Sequence, residues 1–268
     1  MANTICSAHD QYQGTARAAF HHRFVAVTPY KNSSRGTYMD EYAKLRKGDR
    51  TRHRLKEAAL KLFAENGVEN VSIRDIQLAA GQKKNGSITY HFSSRDALIR
   101  ELVQDVGKTL DAGNNHRLDA LESKGGPHTV REVTAIMIPT LPESADIKPN
   151  EKVYGLRFFT SVMISRRELL FEATAGQDRG TRRCFAAIRR LAPEMPPEIL
   201  RQRMMLTLMF GLSAGASMEA AAKDQDVWKN LWGQASARSN LADTMAGIIL
   251  APISDETLAL VTQEPSSR

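Results

Sequence analysis

A chain of 268 residues that is 42% hydrophobic and 25% charged can bury one large or two modest soluble cores. Its net charge of +7 favours an anionic partner. The two cysteines, Cys6 and Cys184, exclude a disulfide framework or a cysteine-based zinc site, and the seven histidines show no ligand spacing, so no metal and no cofactor are expected.

Residues 1–48 have little periodicity and carry Arg17, Arg23, Lys31 and Arg35, with Asn32-Ser33-Ser34-Arg35-Gly36 reading as loop. Three readings stay open for this extension. It is a poorly ordered tail, or a basic arm lying along the minor groove of a nucleic acid, or a segment ahead of a natural start at Met39. No basic region followed by an apolar one opens the chain, so no secretory signal is read and a cytoplasmic location is the default.

Residues 49–95 form the head. Leu55, Ala58, Ala59, Leu62 and Phe63 make the i, i+3, i+4, i+7, i+8 stripe of an amphipathic helix, and Asn66-Gly67 stops it. Ser72 and Asp75 have capping-box spacing, with Val71 and Ile76 placed as a hydrophobic staple. Ile73, Ile76, Ala79 and Ala80 supply the buried face of this second helix, and Gly81 ends it. A third helix of two turns is expected over Asn85 to Phe92, anchored by Ile88 and Phe92, and Ser93-Ser94-Arg95-Asp96 caps a fourth. Two short helices around a glycine turn suggest a helix-turn-helix; the plain alternative is an ordinary three-helix bundle.

Charge favours the first. Residues 50–95 hold nine cations against four acids, and residues 1–49 seven against four, whereas residues 96–268 sum to −1. The positive charge is at the front, as expected where one end meets phosphates. Thr51 and Arg52 stand near the start of the first helix, and Ser72 caps the second where amides can meet a phosphate. Lys83, Lys84, Asn85, Ser87, Thr89, Tyr90 and His91 form the candidate reading surface, since Lys and Asn suit G and A edges and hydroxyls suit bases or phosphates. Core packing of the ring is the alternative for Tyr90 and the preferred reading for Phe92.

The pieces LKEAALKLFAENGVENVSIRDIQLAAG and GSITYHFSSRDALI resemble the DNA-binding domain of the TetR family of bacterial transcriptional repressors, most specifically in Tyr-His-Phe followed by Ser-Ser-Arg-Asp. The resemblance covers about 50 residues closely. It implies an all-α fold, a homodimer on double-stranded DNA, and a body that binds a small-molecule effector. It further implies that Tyr90, His91 and Arg95 hold the DNA backbone and that the fourth helix transmits effector binding to the head. Two departures stand out. The run from Ala80 to Phe92 is one residue longer than the commonest family form, and Arg95 replaces the usual Lys, adding a bidentate fork.

Residues 96–252 are read as the helical effector-binding and dimerisation domain. The fourth helix, Ser94 to Ala112, is weakened at Gly113-Asn114-Asn115, and Lys124-Gly125-Gly126-Pro127 ends the following segment. Further helices are expected at His128–Ile138, Glu151–Ile164, Arg166–Ala175 and Arg179–Leu191, with a loop over Leu141–Asn150. Met137, Phe158, Phe159 and Met163 are candidate effector contacts, or plain core. The Arg pairs at 166–167, 182–183 and 189–190 read as solvated faces or, less directly, an anionic-ligand site.

The longest helix, Pro197 to Lys223, carries Leu200, Met204, Leu208, Gly211 and Gly215; Ser239 to Leu250 carries Leu241, Met245 and Ile248. These stripes are read as a dimer interface, with packing inside one subunit as the alternative. Trp228 and Trp232 cover a pocket or staple a loop. The charge-free run Met204–Met218 is too short to span a bilayer, so no membrane is expected, and residues 253–268 read as a loose tail.

The reading is a DNA-binding transcriptional regulator, released by an effector from a palindromic operator. The rivals are an effector-independent architectural DNA-binding protein and a helical enzyme, though no paired-carboxylate, Ser-His-Asp, Cys-His or glycine-rich phosphate pattern supports the last.

Overall fold

The computed structural model describes residues 47–82, 90–139, 154–221 and 228–263. Among them the chain is all helix, with no strand. The head contributes α1 (Lys47–Asn66) and α2 (Ile73–Ala79), and α3 (Arg95–Glu122) leads away from it. The body follows with α4 (Val130–Met137), α5 (Gly155–Ser165), α6 (Arg167–Thr174), α7 (Arg179–Leu191) and α8 (Pro197–Ala221). Then come α9 (Lys229–Trp232), α10 (Ala237–Leu250) and α11 (Asp255–Gln263).

Local chemistry explains most boundaries. Leu55, Ala59 and Phe63 bury the stripe of α1 completely, and Gly67, at φ +82°, closes the helix by donating to Phe63 O at 2.9 Å. In α2 the buried set is Ile76, Gln77 and Ala80, with Ile73 half-buried; Ala79, expected inside, is exposed. The period explains it: 73, 76, 77 and 80 share one face of a helix, and 79 lies off it.

The fourth helix was expected to weaken at Asn115, yet α3 runs on to Glu122. Tertiary bonds engage the amides that would have broken it. Asn114 Nδ2 donates to Thr181 Oγ1 at 3.4 Å, and Arg183 donates to Asn115 Oδ1 at 2.9 Å. Asp111 Oδ1 accepts from the backbone amides of Gly180 and Thr181 at 2.7 and 3.1 Å, and so caps α7 from the neighbouring helix. Gly180 permits this approach, because a Cβ there would stand 2.6 Å from Asp111 O. Cys184 faces the same buried seam, and burial pushes its thiol up to about 12, leaving it a neutral packing group.

Two apolar clusters result. The first joins head to body: Leu55, Phe63, Ile76 and Phe92 pack with Leu98, Leu102, Phe158, Phe159 and Val162. The second lies further along the body, around Leu118, Val133, Met137, Ile188, Met204, Met245 and Ile249. Phe63 and Phe158 stack with ring centroids 5.8 Å apart. Around them, Val68 N donates to Ser161 Oγ at 3.3 Å, and Arg166 grips Glu69 at 2.6 and 3.0 Å. The Arg pair read as a solvated face therefore supplies a tie between body and head.

α5 has no cap of its own, since Tyr154 makes no side-chain capping bond. Glu219 of α8 performs that task. Its side chain is 4% exposed and accepts from Leu156 N at 2.8 Å, Arg157 N at 3.1 Å and Arg157 Nε at 3.3 Å.

The stripe read as a dimer interface lies inside one subunit. Leu200, Met204, Leu241 and Met245 are buried, and Leu208 and Ile248 half-buried. Gly211 and Gly215 receive Met245 and Pro139, with Cβ positions that would fall 2.9 and 2.6 Å from them. The opposite face of α8 is apolar too, and exposed: Met205, Leu206, Met209 and Phe210 at 40, 54, 38 and 38%. By length and composition alone α8 is long and apolar enough to cross a membrane, although 39% of that window is buried within the protein. Trp232 staples α9 to α8 through Nε1–H to Ser217 Oγ at 2.9 Å. Within the segment expected as a loose tail, Asp255–Gln263 form α11, and residues 264–268 lie outside the described residues.

Replacing Glu219 with Ala is expected to lower stability by about 3–5 kcal/mol, because it strands Arg157 and two helix-terminal amides. Glu219→Gln, which keeps an acceptor, is expected to lose less. Urea midpoints of the two variants test this; equal, unchanged midpoints would remove Glu219 from the account.

Candidate nucleic-acid interface

The head builds its outer surface from three helix ends. Ser72 is the N-cap of α2, and its hydroxyl is engaged with Asp75: Asp75 N donates to Ser72 Oγ at 3.2 Å, Ser72 N to Asp75 Oδ2 at 2.9 Å and Ser72 Oγ to Asp75 Oδ2 at 2.6 Å. These bonds hold the Asp75 carboxyl below its ordinary range. The capping box thus orients the first turn of α2, where Arg74 is exposed. Arg74 was passed over in the sequence; its place two residues after the cap was the available signal.

Tyr90 is 84% exposed, which rejects the core-packing alternative for its ring. It stands edge-on to half-buried His91 at 4.9 Å between centroids. Phe92, next in sequence, points inward and is buried. Three consecutive aromatic rings therefore divide between surface and core. The chain turns back through Ser93 at φ +29°, a left-handed value uncommon outside glycine, and Ser94 caps α3 by accepting from Ala97 N at 3.0 Å. Lys83, Lys84, Asn85, Ser87 and Thr89 lie outside the described residues.

The two arginines expected on DNA have partners inside the protein. Arg95 Nε donates to Val71 O at 3.1 Å and Nη2 to Val68 O, with the guanidinium 5.5 Å from the Phe63 ring centroid. Arg95 thereby ties the start of α3 to the loop between α1 and α2. Arg52 bonds Glu101 and lies 4.5 Å over the Phe92 ring. Lys56 pairs with Asp105, and with Glu101 at 3.6 Å. Thr51 is half-buried on the same helix, while Arg54 is exposed. The head's positive charge is thus partly internal, with Arg54, Arg74 and Tyr90 facing outward. Where α1 and α3 diverge they leave a cleft of about 380 Å³, floored by Leu60, Leu102 and Val106.

The four candidate effector contacts do not meet in one place. Phe158 and Phe159 belong to the first cluster with Met163 against it, whereas Met137 belongs to the second. Phe158 is fully engaged in joining head to body.

With the head in view, comparison is informative. Residues 55–102 match the family model of bacterial regulatory proteins, tetR family. Residues 55–102 are thus a tetR-family helix-turn-helix head. The match begins at the first buried residue of α1 and ends on α3, so it takes in Ser72, Tyr90, His91 and Arg95. No curated protein matches the chain. Among solved structures, Salmonella enterica GusR aligns at 18% identity with a TM-score of 0.40, over 77% of this chain and 98% of its own, a likeness too distant to inform the body.

Because Tyr90 is outside and Arg95 is tied inside, their substitutions should separate. Tyr90→Ala is expected to weaken DNA binding about tenfold, the scale of one charge-assisted hydrogen bond to phosphate, with an unchanged melting temperature. Arg95→Ala is expected to lower both together. Fluorescence anisotropy on operator DNA and thermal melts measure the two, and a Tyr90→Ala protein of full affinity would remove that residue from the interface.

The tie between head and body also carries a sign in pH. Arg166 holds the Glu69 carboxyl below its ordinary value, chiefly through their hydrogen bond. A depressed carboxyl contributes stability that is complete above its unfolded value and is lost as pH falls through the folded one. Acid should therefore loosen the docking, and Arg166→Ala should flatten the melting temperature profile on the acid side of the carboxylate range. Parallel profiles would rule out a contribution from this pair.

Proposed function

We propose that the protein is a homodimeric, non-enzymatic repressor that holds a palindromic operator and is released from it by a small molecule. The observation that carries the reading is the outward Tyr90 on a capped helix-turn-helix head of TetR-family sequence. Two heads on a two-fold axis would meet successive major grooves about 34–36 Å apart. Phosphate contacts would make affinity fall steeply with salt, by about 10³-fold or more between low and moderate salt for six contacts.

The dimer is assigned to the outward stripe of α8, Met205, Leu206, Met209 and Phe210, in place of the inward one. A long helix that is apolar on both sides calls for cover on both. The effector is assigned to the body. Its strongest support there is Thr207, fully buried on α8, whose hydroxyl has no hydrogen-bond partner among the described residues. Such a group costs stability until something bonds it. A ligand that bonds it would shift the head only through unequal affinity for two arrangements of the body.

Footprinting on the DNA flanking its own gene, at two salt concentrations, tests the reading. A protected palindrome that fades with salt is expected, and the Leu206→Glu, Met209→Glu double variant should lose it while keeping its helix content. Protection of arbitrary DNA with no preferred site would favour an architectural role.

A further inference from the structure

The helix α11 is formed by local chemistry but is not finished by it. Thr257 N donates to Ser254 Oγ at 3.3 Å, and Asp255 and Glu256 stand in the first turn, where acids suit the helix dipole. Isolated helices below ~12–15 residues are marginal in water, however, and this one has nine. Its own subunit covers a single edge, half-burying Ile253, Thr257 and Val261, which recur every four residues. Leu260, one flank round from that edge, remains 59% exposed, and Leu250 at the end of α10 is 52% exposed.

Arg203 of α8 fixes where this apolar edge stands. Its Nη1 donates to Ile249 O at 2.9 Å and to Ala251 O, and its Nη2 to Pro252 O at 3.2 Å. The turn that launches α11 is therefore pinned to α8 two residues before Met205, at the start of the outward stripe. Exposed Leu250 stands at that turn and exposed Leu260 on the helix it launches, so α11 begins beside the surface already assigned to pairing. That surface is also too small alone. A stable two-copy interface takes about 20–30 residues a side, whereas the outward third of α8, a helix of 25 residues, supplies roughly eight.

We propose that α11 is a clasp for a second copy of this chain, burying Leu260 and Leu250 against it and extending the contact assigned to α8. The proposal rests on the dimer reading given above. Its test is the dimer dissociation constant, taken from dilution series by mass photometry, for the full chain, for a chain ending at Ile253, and for Leu260→Ser. A dimeric full chain, a dissociation constant raised at least tenfold by truncation, and a change in the same direction for Leu260→Ser would support the clasp. Truncation and Leu260→Ser that both leave the constant unchanged would overturn the clasp and leave the dimer standing. A full chain that is monomeric at micromolar concentration would overturn the dimer itself and the clasp with it. Flotation of the full chain with lipid vesicles, abolished by truncation, would overturn the clasp by assigning the edge to a lipid surface.

Discussion

The stack of Phe63 on Phe158 is the contact through which the two ends of this molecule meet. Phe63 comes from the head's first helix and Phe158 from α5, and both are fully buried. The same Phe63 ring faces Arg95, whose guanidinium closes the loop that precedes α2. A single aromatic ring therefore touches the turn that orients the DNA side and the helix that anchors the body. α5 in turn depends on Glu219 for its N-terminal amides, and Glu219 belongs to α8. The order of dependence runs from α8 to α5 to α1, by packing and by a buried carboxylate.

The other side of the head is held differently. There α1 meets α3 through Arg52 with Glu101 and Lys56 with Asp105, across an open cleft. Partly exposed pairs of this kind contribute little and are screened by salt, whereas a buried aromatic contact is neither. The head is thus clamped on its aromatic side and laced on its polar side.

Much of this was legible in the residues. The stripe of α1, the capping box of Ser72 and Asp75, and the stop at Gly67 depend on neighbours a few positions away, and each formed as read. Features set by distant neighbours were not legible. Asn114 and Asn115 read as breakers because an exposed asparagine competes with the helix backbone. Here α7 approaches over Gly180 and takes up their amides, so α3 runs on. Arg95 and Arg166 read as surface charge because their partners, two carbonyls and Glu69, are 24 to 97 residues away in sequence. Ser254-Asp255-Glu256-Thr257 carries a helix-start signal for α11, inside the segment read as a tail.

The inward and outward faces of α8 show the limit most clearly. Periodicity detects a stripe by contrast with a polar opposite face. On α8 the opposite face is Met205, Leu206, Met209 and Phe210, so two stripes of similar hydropathy run side by side and the sequence pattern cannot rank them. The glycines were a better guide than the period. Gly211 and Gly215 mark where the closest neighbour must come, and a subunit's own Pro139 and Met245 come closest because the chain delivers them there. On the pairing proposed above, a second copy would meet the other side, Met205, Leu206, Met209 and Phe210. The two glycines mark the face turned to the subunit's own core, a distinction that hydropathy alone does not make.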